Sequence, residues 1–371
     1  MNRDAFLAAV AVVVFCRWIG PAHALGSGEA GAPGGERVFF QEIPLVSGAS
    51  RYEQKTSEAP ASVTIVTADD IRRYGWRTIA DALRSVKGFY TTYDRAWGYV
   101  GVRGFGRPGD FNTRILLLVD GYRVNNNVYD QAYVENGGIV DIDMVDRIEV
   151  ISGPGSSLYG TNAFFAVVNV ITKRGRDLKG ADLSAEAASF GTYKGRASWG
   201  GRLPNGLEVL LSVSRLESEG QRLYFREYDD PATNNGVTER ADGERAGNLL
   251  AKASFGDFAL TAGYVSREKA LPTGLYETVF NDSRSRIVDP RQLFANVKFE
   301  RDLAEHSRIM VRAGYNTYRY EADYQYADHL VNDAGAGDWR RDERVFHGQR
   351  DPFEPALDEG ARPVGRRLQP V

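Results

Sequence analysis

The chain is 371 residues long with a formal net charge of −3, so nothing in its charge points to a nucleic-acid partner. That length leaves room for two domains and a sizeable core, and 40 glycines, 19 tyrosines and 18 phenylalanines favour turn-rich β structure over a plain α/β enzyme. The one cysteine, Cys16, lies in a segment expected to be removed, which excludes disulfides, thiolate nucleophiles and cysteine metal sites from a mature chain.

Residues 1–24 read as a secretory signal. Arg3 supplies the basic start, residues 5–15 are an apolar run, and Ala22-His23-Ala24 is a small-x-small cleavage site. The run is too short to span about 30 Å of hydrocarbon as a helix. Residues 25–51 are a linker, flexible at first and then extended and apolar. Within it Glu42, Ile43, Pro44, Leu45, Val46 and Ser47 suit addition to a partner's sheet edge, since Pro44 bars them from a sheet interior. An ordinary linker strand fits them equally well.

Alternation over residues 61–66 predicts a strand. Thr67-x-x-Asp70 and Thr78-x-x-Asp81 then predict two helix starts of the capping-box kind. Ile79, Ala82, Leu83 and Val86 share one helical face, and Gly88 is placed to end that helix. Residues 104–109 have the GxGxxG spacing of a dinucleotide loop, but a strand-like run over residues 111–120 follows where a helix is required. Asp120-Gly121 between two apolar runs is a two-residue hairpin signal. Asp141, Asp143 and Asp146 mark a short helical turn, read as a solvated face rather than a calcium site.

Two β-branched runs, residues 147–152 and 167–172, flank a glycine-rich connection from Gly153-Pro154 to Leu158-Tyr159-Gly160. Its glycine spacing suggests a P-loop, but Thr161-Asn162 stand where the phosphate-binding lysine and hydroxyl belong. With Ala163 and Val168-Asn169-Val170-Ile171-Thr172-Lys173, this stretch resembles the plug domain of TonB-dependent outer-membrane receptors. Arg103-Gly104 and Val119-Asp120-Gly121 match further marks of that family. Ser152 in place of an arginine, and Phe164-Phe165-Ala166 in place of a small-residue turn, depart from it.

The resemblance implies an α+β plug over residues 52–176, a mixed sheet with short helices. It makes residues 42–47 a segment for a TonB-type energy-coupling protein. It implies an outer-membrane receptor taking up a small-molecule or metal-chelate ligand such as an iron siderophore, haem, cobalamin or glycan, with no covalent chemistry and no cofactor. Arg103, Arg114, Arg147 and Glu149 are then expected to pair with a surrounding barrel wall, because buried charges need partners.

From residue 180 the texture changes to about seven alternating segments, the pattern of antiparallel transmembrane β-barrel strands facing outer-membrane lipid. Leu207, Val209, Leu211 and Val213 face one way, and Glu208, Leu210, Ser212 and Ser214 the other. Short joins alternate with long polar ones over residues 219–243 and 267–291, an asymmetry a soluble sandwich would not give. Tyr224, Arg226, Tyr228 and Tyr276 in those loops are either ligand contacts or ordinary girdle and loop residues. Residues 332–371 lack alternation and read as a disordered tail, leaving residues 177–331 as the partial barrel. A plug-enclosing barrel of the 22-stranded class needs on the order of 400 residues. The expected wall is therefore incomplete and open, and the chain alone is not expected to transport. No catalytic constellation is present, and the histidines lack metal-ligand spacing. A non-transporting plug-bearing fragment or periplasmic interaction module is the other reading.

Overall fold

The computed structural model describes residues 45–46, 54–55, 62–288, 291–304, 307–327 and 330–338. The predicted signal, most of the linker, and residues 339–371 lie outside the described residues. Near the start, β1 (Leu45–Val46) pairs antiparallel with β2 (Gln54–Lys55).

The plug begins at β3 (Ser62–Thr67), followed by helices α1 (Ala68–Tyr74) and α2 (Ile79–Leu83). Both helices carry the expected capping boxes. The Thr67 and Thr78 hydroxyls accept from the Asp70 and Asp81 amides at 3.1 Å, and each carboxylate reaches back to its threonine amide. Helix α2 is shorter than its apolar face suggests. It stops at Leu83, Val86 is buried in the turn beyond, and Gly88 sits at φ +85 in the approach to β4 (Phe89–Tyr93). Strand β4 pairs with β5 (Gly98–Val102). Next come β6 (Ile115–Val119), β7 (Tyr122–Arg123), β8 (Val145–Ser152), α3 (Ser156–Tyr159), β9 (Ala166–Thr172) and α4 (Gly175–Leu178).

The central sheet has five strands in the order β3-β8-β9-β6-β7. β8 and β9 are antiparallel, and β6 runs parallel to β9. Layers on both faces explain the continuous apolar runs: Ile115 to Val119, Ile148, Val150, Val167, Val168 and Val170 are all buried. One polar side chain interrupts β9. Buried Asn169 accepts from the Gly121 amide at 3.0 Å and donates to Glu149 Oε2 at 3.3 Å, while Arg147 holds Glu149 at 2.9 Å.

The wall runs through β10 (Gly180–Ala188), β11 (Thr192–Arg202), β12 (Glu208–Ser218), the loop hairpin β13 (Leu223–Tyr224) and β14 (Val237–Thr238), β15 (Glu244–Phe255), β16 (Phe258–Ala270), the short β17 (Arg286–Ile287), β18 (Arg291–Ala304), β19 (Ser307–Gln325) and β20 (Leu330–Asp338). All wall pairings are antiparallel, and the sheet is open, with β10 and β20 as its outer strands among the described residues. Its two faces differ as the alternation predicts. Leu211, Val213, Leu260 and Val297 point outward and are exposed, whereas Leu210, Leu250, Val265 and Phe294 join the plug in one buried cluster.

One expectation is corrected. Residues 332–338 belong to β20 rather than to a disordered tail. The stretch has no apolar alternation to betray it. Its strand comes from backbone pairing along Thr317 to Gln325 of the long β19, and such ladders need no side-chain pattern.

The Asp120-Gly121 turn has φ +48 and +73, the paired left-handed conformation of a two-residue hairpin. A Cβ on Gly121 would also lie 3.6 Å from the Arg312 guanidinium. Gly121→Val is therefore expected to destabilise the chain by about 1–3 kcal/mol, and Gly121→Asn by less, because asparagine tolerates the left-handed region. Denaturant unfolding followed by near-ultraviolet dichroism checks this; a valine variant with an unchanged midpoint contradicts the turn geometry.

Candidate functional site: the plug–wall seam

The plug meets the wall's inner face along a polar seam, and one of its contacts is the β6–β7 turn. Lys252 Nζ of β15 lies 2.9 Å from Asp120 Oδ2, and Arg312 of β19 donates to the Asp120 carbonyl oxygen at 3.2 Å. The same carboxylate accepts from the Thr172 amide at 3.0 Å and the Thr172 hydroxyl at 2.7 Å. Lys252 also donates to that hydroxyl at 2.6 Å. One side chain thus joins the hairpin turn, the end of β9 and the wall. Beside it, the Tyr122 ring stacks on Phe294 with centroids 5.6 Å apart and rests over Gly314, where a Cβ would strike it.

At a second contact, Asp141 caps the Ile142–Met144 turn by accepting from the Asp143 amide. Lys194 of β11 reaches Asp141 and Asp143, each at 2.8 Å, and Arg196 lies 3.7 Å from Asp143. Burial alone would raise the Asp141 pKa, but the Lys194 ammonium and the hydrogen bonds around it bring the carboxyl below its ordinary value. Asp141 is a buried and Asp143 a half-buried counter-ion of the wall, which corrects their reading as a solvated helix face, while Asp146 stays half-exposed beside Arg147.

A third part of the seam mixes charge and rings. Buried Arg267 of β16 pairs with Glu244 at 2.6 Å and donates to the Ala96 carbonyl at 2.7 Å. Tyr133 and Tyr318 share a hydrogen bond at 2.7 Å, and Trp97 Nε1 donates to Tyr276 at 3.1 Å. Between plug and wall lies a cavity of about 300 Å³ whose lining includes Trp76, Glu135, Asp141, Lys194 and Asn248. Burial pushes the Glu135 carboxyl up to about 7, with Arg267 opposing, Asp81 and Glu244 adding to the rise, and Arg84 opposing.

Residues 55–167 match the TonB-dependent receptor plug domain as a family. That stretch is a plug domain of the TonB-dependent receptor kind. It is 31% identical over 183 residues to the vitamin B12 transporter BtuB of Vibrio vulnificus (strain CMCP6), covering 47% of this chain and 28% of that protein. It is 34% identical over 134 residues to an iron-regulated outer membrane virulence protein of Vibrio cholerae serotype O1 (strain ATCC 39541), covering 35% and 20%. The chain thus spans about a quarter of the length of the curated relatives it matches. Among solved structures, the ferric yersiniabactin uptake receptor FyuA from Yersinia pestis superposes with a TM-score of 0.57 at 16% identity, over 76% of this chain and 44% of that one. The pyoverdine outer membrane receptor FpvA from Pseudomonas aeruginosa PAO1 gives 0.52 at 16%, over 78% and 43%. At these identities the structural likeness is one of fold.

Within this receptor plug, the charges expected to face the wall are placed differently. Arg147 pairs with Glu149 and Asp146, and Arg114 with Asp110 at 3.7 Å, its guanidinium 5.7 Å above the Phe165 ring. Arg103 is exposed at φ +53, with its amide donating to the Gly88 carbonyl. Asp120, Asp141 and Asp143 contact the wall instead, as do Arg95 through Asp242 and Arg176 through Glu208. The three acids were legible only as turn formers, because short acids at turns usually serve the local backbone. Gly153 at φ +129 and Gly160 at φ +77 bracket Pro154 and α3, and Tyr159 packs against the cluster of Leu116, Leu118, Ile151, Ala163 and Val167.

The loop residues divide as well. The Tyr228 ring stacks on Phe280 at 4.1 Å, and Tyr276 meets Tyr324 edge-on at 5.4 Å, so both serve loop packing. Tyr224 and Arg226 stay exposed, Tyr224 donating to Asp229 at 2.8 Å.

Glu135 gives the seam a pH dependence. Its folded pKa is raised, so the folded state binds the proton more tightly, and the stability this confers is fully present below about 4.5 and lost as pH rises through about 7. The unfolding midpoint in neutral detergent should fall between about pH 5 and 7.5, and Glu135→Gln should flatten that fall. An unaltered pH profile in the glutamine variant contradicts this.

Proposed function

We propose that this chain supplies the plug and wall strands of an outer-membrane receptor for TonB-energised uptake of a scarce ligand. One observation carries the reading: a receptor plug is seated on the polar inner face of a β-wall whose outer face is apolar. Such a wall suits lipid outside and a closed pore inside. The relatives' names support a small-molecule or metal-chelate ligand of the siderophore, haem or cobalamin kind, since they include a vitamin B12 transporter and a ferric yersiniabactin receptor. Tyr224 and Arg226 are the loop side chains left open to it. The reading assigns no covalent chemistry, because the work is binding, opening and passage.

Coupling is assigned to residues 42–47. Leu45 and Val46 pair only with the short β2 in the described structure, and a ladder of that length is readily exchanged for an edge strand of a TonB-type partner. The open wall supports a second reading for residues 1–371 by themselves, a plug-bearing module that does not transport. Unpaired strand edges are costly in lipid, at several kcal/mol for each exposed backbone group.

Fractionation of the envelope and ligand uptake in a receptor-deficient strain test these readings. Outer-membrane recovery is expected, and uptake restored by residues 1–371 alone would overturn the second reading. Leu45→Pro, which removes an amide from the exchanging strand, should abolish cross-linking to the coupling protein. Undiminished cross-linking places the coupling segment elsewhere.

A further inference from the structure

Several ion pairs across the seam share one polarity, whereas Arg95 with Asp242 at 3.8 Å and Arg176 with Glu208 at 2.6 Å run the other way. Lys194 with Asp141 and Asp143, Arg196 with Asp143, and Lys252 with Asp120 all put the cation on the wall and the carboxylate on the plug. Arg312 adds a fourth wall cation, donating to the Asp120 carbonyl. These cations differ in what the wall itself offers them. Arg196 has Asp182 at 3.1 Å, and Lys194 lies across the sheet from Glu186. Lys252 has Leu210 and Thr261 as its cross-strand neighbours. Arg312 stands directly opposite Lys298, whose ammonium is held by Glu300 at 2.6 Å. Like charges facing each other across strands repel. Around the Asp120 turn, the wall's inner face thus presents Lys252, Lys298 and Arg312 against Glu300.

We propose that the passage opened when the Asp120 turn leaves the wall selects an anionic solute, one whose carboxylate or phosphate-like oxyanions replace Asp120 as counter-ion of Lys252 and Arg312. The inference rests on the uptake reading and names the charge of its cargo. Asp120 itself shows the recognition, an oxyanion held by the Lys252 ammonium and by the Thr172 amide and hydroxyl. A neutral or cationic solute would leave Lys252 without the Asp120 counter-charge, and Arg312 with only the Glu300 carboxylate that Lys298 already shares, in a partly dehydrated seam where unpaired charge is strongly disfavoured.

Asp120→Gly vacates the carboxylate, and glycine accepts the φ of +48 at that position. Inorganic pyrophosphate titrated into the full chain in neutral detergent is expected to bind this variant at least about 10-fold more tightly than the unmodified chain, read by calorimetry. Adding Lys252→Gln and Arg312→Gln should remove the gain. Equal affinity for the two chains, or a gain that survives both glutamines, overturns the proposal. A second measurement leaves the turn intact. Thr261, buried and opposite Lys252 in register, becomes the sole thiol as Thr261→Cys in a Cys16→Ser background. Pyrophosphate should change its alkylation rate several-fold, whereas sodium chloride at equal ionic strength and spermidine should not. No change with pyrophosphate, or the same change with all three, overturns the proposal. Neither measurement involves membranes or uptake, so a failure here is distinct from a failure of the transport reading.

Discussion

The Asp120 carboxylate is the constraint on which the seating of the β6–β7 turn against the wall depends. It sits in a turn whose two residues both occupy left-handed conformations, so its direction is set by the backbone before any partner arrives. Four groups converge on that residue or its carbonyl: the Thr172 amide and hydroxyl from the plug, and Lys252 and Arg312 from the wall. Charge-assisted hydrogen bonds of this kind are roughly twice as strong as neutral ones. They are also partly shielded here, so salt screens them less than it screens surface pairs.

Behind the turn, a buried network keeps it in place. Asn169 fixes the Gly121 amide from one side and reaches Glu149 on the other, and Arg147 neutralises that fully buried carboxylate. A charge in the middle of a β-sheet is costly unless it is paired and hydrogen-bonded. Its presence here specifies register: a slip of β9 against β8 by one residue would separate Asn169 from Glu149 and turn the polar group into an apolar layer. The plug's polar core therefore aims its edge hairpin at the wall.

Local features were legible in the sequence because local chemistry alone determines them. The capping boxes at Thr67 and Thr78, the Asp120-Gly121 hairpin, the central pair of β-branched strands and the facing of β12 all follow from spacing within a few residues. Contacts between distant segments were not. Lys194 and Lys252 read as unremarkable strand lysines until Asp141 and Asp120, more than 50 residues away, are folded against them. The wall partnership of Arg103, Arg114 and Arg147 was anticipated from their charge, but nearby acids and backbone took them first. Helix α2 and β20 mark the same limit from opposite sides. The apolar face continuing to Val86 was satisfied by a turn rather than helix, and β20 formed without any pattern of its own. A site defined by which charges meet across two layers becomes visible only once the layers are stacked.

The opposed Lys298 and Arg312 also bear on how the molecule is assembled. Two cations facing each other across β18 and β19 repel, and Glu300 beside Lys298 offsets only part of that repulsion. Tyr122, the Asp120 carbonyl and its carboxylate arrive together on a single hairpin, relieving the repulsion and covering Phe294 in the same event. The plug thereby stabilises its own seat: β18 and β19 hold their opposed cations at lower cost with the hairpin in place than without it.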